Sequence, residues 1–215
     1  MENNLTVLYE DADVVAIHKP AGVLTTELHY GVGHVHRLDK GTSGVLVFAK
    51  NQTAYDFLRK AFHDREVKKT YLAFVYGVPK EKRGVIDFDI GRSRKDFRLR
   101  SAQPKAKGRL RASITRYEVL AEASGHAFLK VSPETGRTHQ IRVHLKAIHH
   151  PVVGDSLYAP NHPKDLGITR LGLHAYQVDL PLPSGGHTII TAPIPADLAP
   201  ALAHFPHLKE KFALA

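Results

Sequence analysis

The chain has 215 residues, 43% of them hydrophobic, with no cysteine and with 30 Lys and Arg against 21 Asp and Glu, a formal charge of +9. That is enough apolar material for a sizeable core in one domain or two closely joined halves, and the lack of Cys excludes a disulfide scaffold, a Cys-based zinc site and a thiol nucleophile. No apolar run approaches the roughly 20 residues of a membrane span, and Met1-Glu2-Asn3-Asn4 lacks a basic-then-apolar signal pattern, so a cytoplasmic protein with no membrane partner is expected, its positive charge suited to a polyanion such as nucleic acid.

In chain order, residues 5–10 and 14–18 are predicted as two short strands joined at the acidic turn Asp11-Ala12-Asp13. Lys19-Pro20-Ala21-Gly22 breaks the second strand, and the polar stretch from Gly22 to His36 is a loop. His36-Arg37-Leu38-Asp39-Lys40-Gly41-Thr42-Ser43-Gly44 then runs straight into the apolar strand 45–49. This glycine-bracketed polar turn delivers Asp39 to the edge of a buried strand, a place for single-residue chemistry. The plainer reading is that Asp39 only caps the turn or pairs with Arg37 or Lys40.

Asn51 or Thr53 can cap a helix in which Ala54, Phe57, Leu58, Ala61 and Phe62 fall at steps of three and four. The run 71–77 is apolar on both faces and ends at Gly77-Val78-Pro79, as a strand covered on both sides does. Tyr71 at its start reads, on spacing alone, as a core aromatic with its hydroxyl at the rim. From Gly91 to Arg111 the composition shifts to Arg92, Arg94, Lys95, Arg98, Arg100, Lys105, Lys107, Arg109 and Arg111 with Asp96 as the single acid. Such a run is either a solvated loop or a mobile arm that neutralises phosphates. Residues 110–120 and 127–131 form an antiparallel hairpin around Ser124-Gly125. Thr138 can cap a helix with Ile141, His144, Leu145 and Ile148 on one face, although Ile141, Val143 and Leu145 also suit a strand. Strands at 171–180 and 188–192 and a terminal helix at 198–215 close the chain. At least eight strands, few helices and hairpin-length connections define an α+β fold on a mixed, largely antiparallel sheet.

The loop around Asp39 resembles the signature of the RluA-type pseudouridine synthases, HRLD followed by a basic residue, a variable one and TSG. Three further segments resemble that family in its order: Ile17-His18-Lys19-Pro20-Ala21-Gly22, Lys69-Thr70-Tyr71-Leu72-Ala73, and Thr135-Gly136-Arg137-Thr138-His139-Gln140-Ile141-Arg142-Val143-His144. The resemblance implies a single catalytic domain over 1–215, its central sheet of about eight strands in two halves with a cleft across it, and no accessory N-terminal RNA-binding domain. It implies Asp39 as the catalytic acid, Tyr71 as the tyrosine against the uracil, and Arg142 as the ion-pair partner of Asp39, gripping both carboxylate oxygens. Arg37, Lys19, Arg137, His139 and Gln140 are then expected at the RNA, with Arg92, Arg94, Lys95 and Arg98 on phosphates.

Turning uridine into pseudouridine breaks the bond from ribose to the ring nitrogen, rotates the base and rejoins it through carbon, with nothing entering or leaving. It needs a carboxylate as nucleophile or base and a pocket for the detached uracil, but no cofactor or metal. The expected partner is ribosomal or transfer RNA, and the protein is expected to be a monomer without an obligate protein partner. A hydrolytic glycosidase ordinarily needs two carboxylates, where the matched motifs supply Asp39 with Glu134 the nearest other acid. A metal hydrolase is suggested by 15 His, but no HExxH or comparable spacing occurs, so most are expected at the surface or facing RNA. A non-catalytic RNA-binding module explains the charge and leaves the intact loop around Asp39 without a purpose.

Overall fold

The computed structural model describes residues 5–94, 96, 99–102, 106–163, 165–208, 211 and 212. In chain order its strands are β1 (Val7–Glu10), β2 (Val14–Lys19), β3 (Gly33–His34), β4 (Ser43–Ala49), β5 (Lys68–Tyr76), β6 (Arg83–Asp87), β7 (Ile90–Arg92), β8 (Arg100–Ser101), β9 (Lys107–Arg111), β10 (Ile114–Ala123), β11 (His126–Pro133), β12 (Leu173–Pro181) and β13 (His187–Thr191). Its helices are α1 (Gln52–His63), α2 (Gln140–Ala147) and α3 (Ala199–Ala203). With mixed, mostly antiparallel pairing and few helices the fold is α+β, as the sequence predicts.

The chain divides into two compact units, one comprising residues up to Thr70 with His174–Ile194, the other Tyr71–Leu173 with the segment from Pro195 on. In the first unit, Asp11 ends β1 by accepting the N–H groups of Asp13 and Val14 on one carboxylate oxygen, a local bond that turns the chain into β2. β2 runs antiparallel to β4, and β12 joins β4 in parallel with His174 opposite Ser43 and Ala175 opposite Gly44. β3 pairs with the far end of β4 inside the stretch predicted as plain loop, and a short 3-10 turn at Thr25–Glu27 precedes it. Asn51 caps α1 by accepting the Ala54 N–H, and Lys50 and Asn51 fasten that end to Asp11 and Asp13. Ala54, Leu58 and Ala61 are the face α1 buries against Val45, Val47 and Leu180, whereas Phe57 of the predicted apolar set is 39% exposed. Leu58 is fully buried, so truncation to Ala costs about 2–5 kcal/mol.

In the second unit the strand order is β5-β11-β10-β6, antiparallel throughout. The β10–β11 hairpin closes on Ser124 and Gly125, both at positive φ (51° and 74°), the geometry whose twist matches paired strands. Both faces of β5 are covered, as its two-sided apolar run requires. Ala73 and Val75, with Leu129 and Val131, pack against Ile141 and Leu145 of α2, while Phe74 and Phe128 stack at 4.6 Å on the opposite face with Phe205 beside them.

Four predicted elements differ. The strand over 110–120 is interrupted between β9 and β10, where the Ser113 hydroxyl turns back to the Arg111 carbonyl. Among the described residues of the predicted terminal helix, the α-helical part is the five residues of α3 flanked by 3-10 turns, and Pro206 supplies no N–H to continue it. α2 starts at His139 in a left-handed conformation without a side-chain cap, not at Thr138. Within the basic segment 91–111, expected to be a loop or mobile arm, described residues form a three-stranded ribbon with Ile90 in the order β8-β7-β9. Ile90 and Ala102 anchor it by packing on Val143 and Tyr158.

Candidate active site

The Asp39 loop is held by main-chain and buried polar contacts. The turn closes from the Thr42 N–H to the Asp39 carbonyl at 3.0 Å. The Thr25 hydroxyl donates to the Leu38 carbonyl and accepts the Leu38 N–H, both at 3.1 Å, which fixes the peptide just before Asp39. Behind the loop the fully buried Lys19 donates from Nζ to the carbonyls of Pro20 and Val23 at 2.8 Å and reaches that of Lys40 at 3.5 Å. Gly44, at φ 120°, has no room for a side chain because an added Cβ would lie 2.1 Å from the Ala175 carbonyl oxygen. Next to it the buried Ser43 hydroxyl meets His174 Nδ1 at 2.9 Å, and His174 Nε2 donates to the Ala192 carbonyl, so Ser43 supplies the proton of the first bond. Thr-Ser-Gly is therefore a packing requirement of the β4–β12 junction, which delivers a half-buried Asp39 on a rigid loop.

His36 belongs to the same support. Its Nε2 accepts the Val47 N–H at 3.0 Å and its ring stacks on Phe62 at 4.7 Å. Burial, then the Lys69 ammonium and His34, pushes its pKa down to about 3, so it is neutral with its proton on Nδ1. Lys69 in turn is pushed down to about 8 by burial and by Arg65.

In the second unit α2 carries the arginine motif. Arg142 Nε and Nη2 grip the two oxygens of Asp155 at 2.7 and 2.8 Å, and the Asp155 side chain is wholly buried. One Asp155 oxygen also accepts the N–H groups of Leu157 and Tyr158 at 3.0 Å. The Tyr158 ring lies 5.0 Å from the Arg142 guanidinium carbon, a cation–π contact. Gln140 holds α2 to β10: its Nε2 donates to the Ile114 carbonyl and Thr115 Oγ1, and its Oε1 accepts from the Thr135 hydroxyl and the Arg137 N–H. The chain of bonds continues from Thr115 Oγ1 to His144 Nδ1, and His144 Nε2 donates to the Phe88 carbonyl. Burial pushes the His144 pKa below that of a free imidazole, consistent with the neutral ring these bonds require.

The predicted site residues thus divide. Asp39, in the first unit, and Tyr71, on β5, are both half-buried. Arg37, Arg92 and Arg94 are exposed, and Arg137 is half-exposed with Nε on the Ala112 carbonyl. His139 is half-buried with Nδ1 on the Tyr158 hydroxyl. Lys95 and Arg98 lie outside the described residues. Lys19 and Gln140, expected at the RNA, are buried, with their donors on carbonyls and hydroxyls of the fold. Although most histidines were expected at the surface or facing RNA, His36, His144 and His174 brace the interior. Arg142 grips both oxygens of Asp155, a partner that sequence reasoning missed. Gly154-Asp155 after Pro151-Val152-Val153 was the available signal, an acid at a glycine turn behind an apolar run. Among the described residues no group of three or more His, Asp or Glu is placed to hold a metal ion, and no helix is long and apolar enough to cross a membrane.

Comparison with known proteins agrees with the motifs. Residues 13–147, a span that includes Asp39, Tyr71 and Arg142, match the family described as RNA pseudouridylate synthase. An uncharacterized RNA pseudouridine synthase of Mycobacterium bovis is 40% identical, the match covering 92% of this chain and 72% of that protein. Ribosomal large subunit pseudouridine synthase D of Neisseria meningitidis is 37% identical over 90% of this chain, which spans only 59% of that protein. Among solved structures, human RNA Pseudouridylate Synthase Domain Containing 1 superposes with a TM-score of 0.78 at 28% identity, covering 88% of this chain and 83% of that one. The chain belongs to the RluA-type RNA pseudouridine synthases, a family of isomerases.

Proposed function

We propose that this chain isomerises specific uridines to pseudouridine in structured RNA, with Asp39 as the acting carboxylate. The observation that carries the reading is a half-buried acid on a loop fastened on both sides, by Thr25 at Leu38 and by the Thr42 turn, inside the span that matches the family. A rigid carrier is what positioning a carboxylate at a sugar carbon demands, since small misplacements forfeit much of the rate. Asp39 acts as nucleophile or base near the anomeric carbon, the glycosidic bond to nitrogen breaks, the uracil turns, and a bond to ring carbon forms. The proton displaced from that carbon leaves to solvent and the freed nitrogen gains one, so the product is an isomer.

In this reading Tyr71 lies against the uracil and takes part in the proton removal, and Arg142 serves as the active-site arginine of the family motif. Arg37, Arg137 and His139 hold the flipped nucleotide and its phosphates, because a base inside a stacked helix must be extruded before chemistry. The basic ribbon supplies phosphate contacts. Arg92 stands directly opposite Arg100 across it, and like charges facing each other across strands are unfavourable until an anion neutralises them. The names of the Neisseria relatives favour ribosomal RNA among the candidates.

The test is tritium release from RNA labelled at the uracil ring carbon, followed by mapping of the modified positions. Release without chain cleavage or free uracil is expected, and Asp39→Asn should abolish it while RNA affinity stays within a few-fold. A variant keeping even about a tenth of wild-type turnover would remove Asp39 from the covalent or proton-transfer step. RNA binding without release by the intact protein would instead favour a non-catalytic module.

A further inference from the structure

The Tyr158 side chain is 3% exposed, yet both of its ends are engaged by residues of other elements. At one end the hydroxyl accepts the N–H of Arg100 in β8 at 2.9 Å and lies 2.9 Å from His139 Nδ1 at the start of α2. The Arg100 bond ties a main-chain group of the ribbon, at the position facing Arg92, to the protein body. The His139 contact steadies a residue held at φ 59°, a left-handed conformation that costs a side chain energy unless its surroundings enforce it. At the other end the ring lies under the Arg142 guanidinium at 5.0 Å, with Lys146 Nζ at 5.7 Å. Its backbone N–H is fixed by the same Asp155 oxygen that accepts from Arg142 Nη2. The ribbon and the arginine are thus attached to opposite ends of one rigid side chain.

We propose that Tyr158 is a positioning residue with separable ends, its hydroxyl holding the basic ribbon in place for RNA and its ring seating the Arg142 guanidinium. This rests on the readings above of the ribbon as an RNA contact and of Arg142 as the active-site arginine. Tyr158→Phe keeps the ring and removes both hydroxyl bonds. It therefore raises KM for RNA about fivefold, the effect of losing the one hydrogen bond that holds the ribbon, and leaves kcat within about twofold. Tyr158→Leu also removes the aromatic face and lowers kcat about tenfold in addition. Thermal melting of each variant accompanies the kinetics. A general loss of packing lowers kcat in both variants with no such division.

Hydrogen exchange at the Arg100 amide gives a second readout that does not depend on turnover. It is slow in the unaltered protein and fast in Y158F. Should Y158L fail to fold, Y158F and the amide decide the matter. Y158F with lowered kcat and unchanged KM, or an Arg100 amide that exchanges equally in both proteins, overturns the inference. Arg92→Ala/Arg94→Ala serves as the control on the underlying reading. If it weakens RNA binding while Y158F binds like wild type, Tyr158 alone is refuted. If the ribbon variant itself binds RNA normally, the ribbon reading fails and takes the inference with it.

Discussion

Lowering the pH tests how the Asp39 loop is held. His36 accepts the Val47 N–H on Nε2, so protonation of that nitrogen destroys the bond. Its pKa falls from an ordinary 6.5 to about 3 through burial and the neighbouring Lys69 charge. Because the folded value is the depressed one, the unfolded chain takes the proton first. The stability His36 contributes is complete above about pH 6.5 and is lost progressively down to about pH 3. Linkage with these two values gives a loss of about 2.7 kcal/mol between pH 7.5 and 4.5, lowered toward about 2 kcal/mol because the residue is only half-buried. The chain has no Trp but eight Tyr, so urea unfolding is followed by tyrosine fluorescence and far-UV circular dichroism at each pH. His144, whose pKa is also depressed by burial, adds a slope of the same sign, so the diagnostic quantity is a difference. His36→Gln should be less stable than wild type at pH 7.5 but lose about 2 kcal/mol less on going to pH 4.5. Parallel stability curves for the two proteins would mean that His36 titrates normally and does not brace the loop.

Two further outcomes follow from the geometry. Asp155→Ala leaves the Arg142 guanidinium buried and without its bidentate carboxylate, so unfolding free energy should fall by about 3–5 kcal/mol; a loss under about 1 kcal/mol in urea titrations would show that Asp155 does not hold the arginine. Replacing Arg92, Arg94 and Arg100 by Ala should flatten the dependence of RNA affinity on salt, each lost phosphate contact lowering the logarithmic slope by roughly 0.7 to 0.9; an unchanged slope would make the ribbon a solvated surface.

What could be read from the sequence follows from the range of each interaction. The Asp39 loop and α1 were legible because their signals are local: a glycine-bracketed polar turn before an apolar strand, and Asn51 capping apolar residues at helical spacing. The ribbon was not, because half of its strand residues are charged and it is held by the apolar residues Ile90 and Ala102, which pack on Val143 and Tyr158 well over thirty positions away in sequence. No periodicity records such an anchor. The burial of Lys19 and Gln140 escaped the sequence for a related reason. Polar residues inside recognised motifs suggest contact with a ligand, but carbonyls turned inward at loop and strand ends need donors as urgently as a phosphate does. Asp155 was missed because its partner is chosen by the fold, where α2 and the turn at Gly154 converge.

This division bears on the proposed recognition of RNA. Lys19, Gln140 and His144 spend their bonding capacity within the protein, while Arg37, Arg92 and Arg94 stand exposed. A long-range attraction between a protein of charge +9 and a polyanion depends on exposed charge and is screened by salt within about 10 Å. Buried bonds such as Thr25 to Leu38 or Arg142 to Asp155 are screened far less. Raising the salt concentration should therefore remove the affinity contributed by the surface arginines while the loop that carries Asp39 keeps its geometry. At saturating RNA, turnover then stays constant as salt rises and the cost appears in KM. A kcat that fell together with affinity would require the surface arginines to act in the chemical step itself, and the separation between an outer layer that gathers RNA and an inner one that holds the acid would not stand.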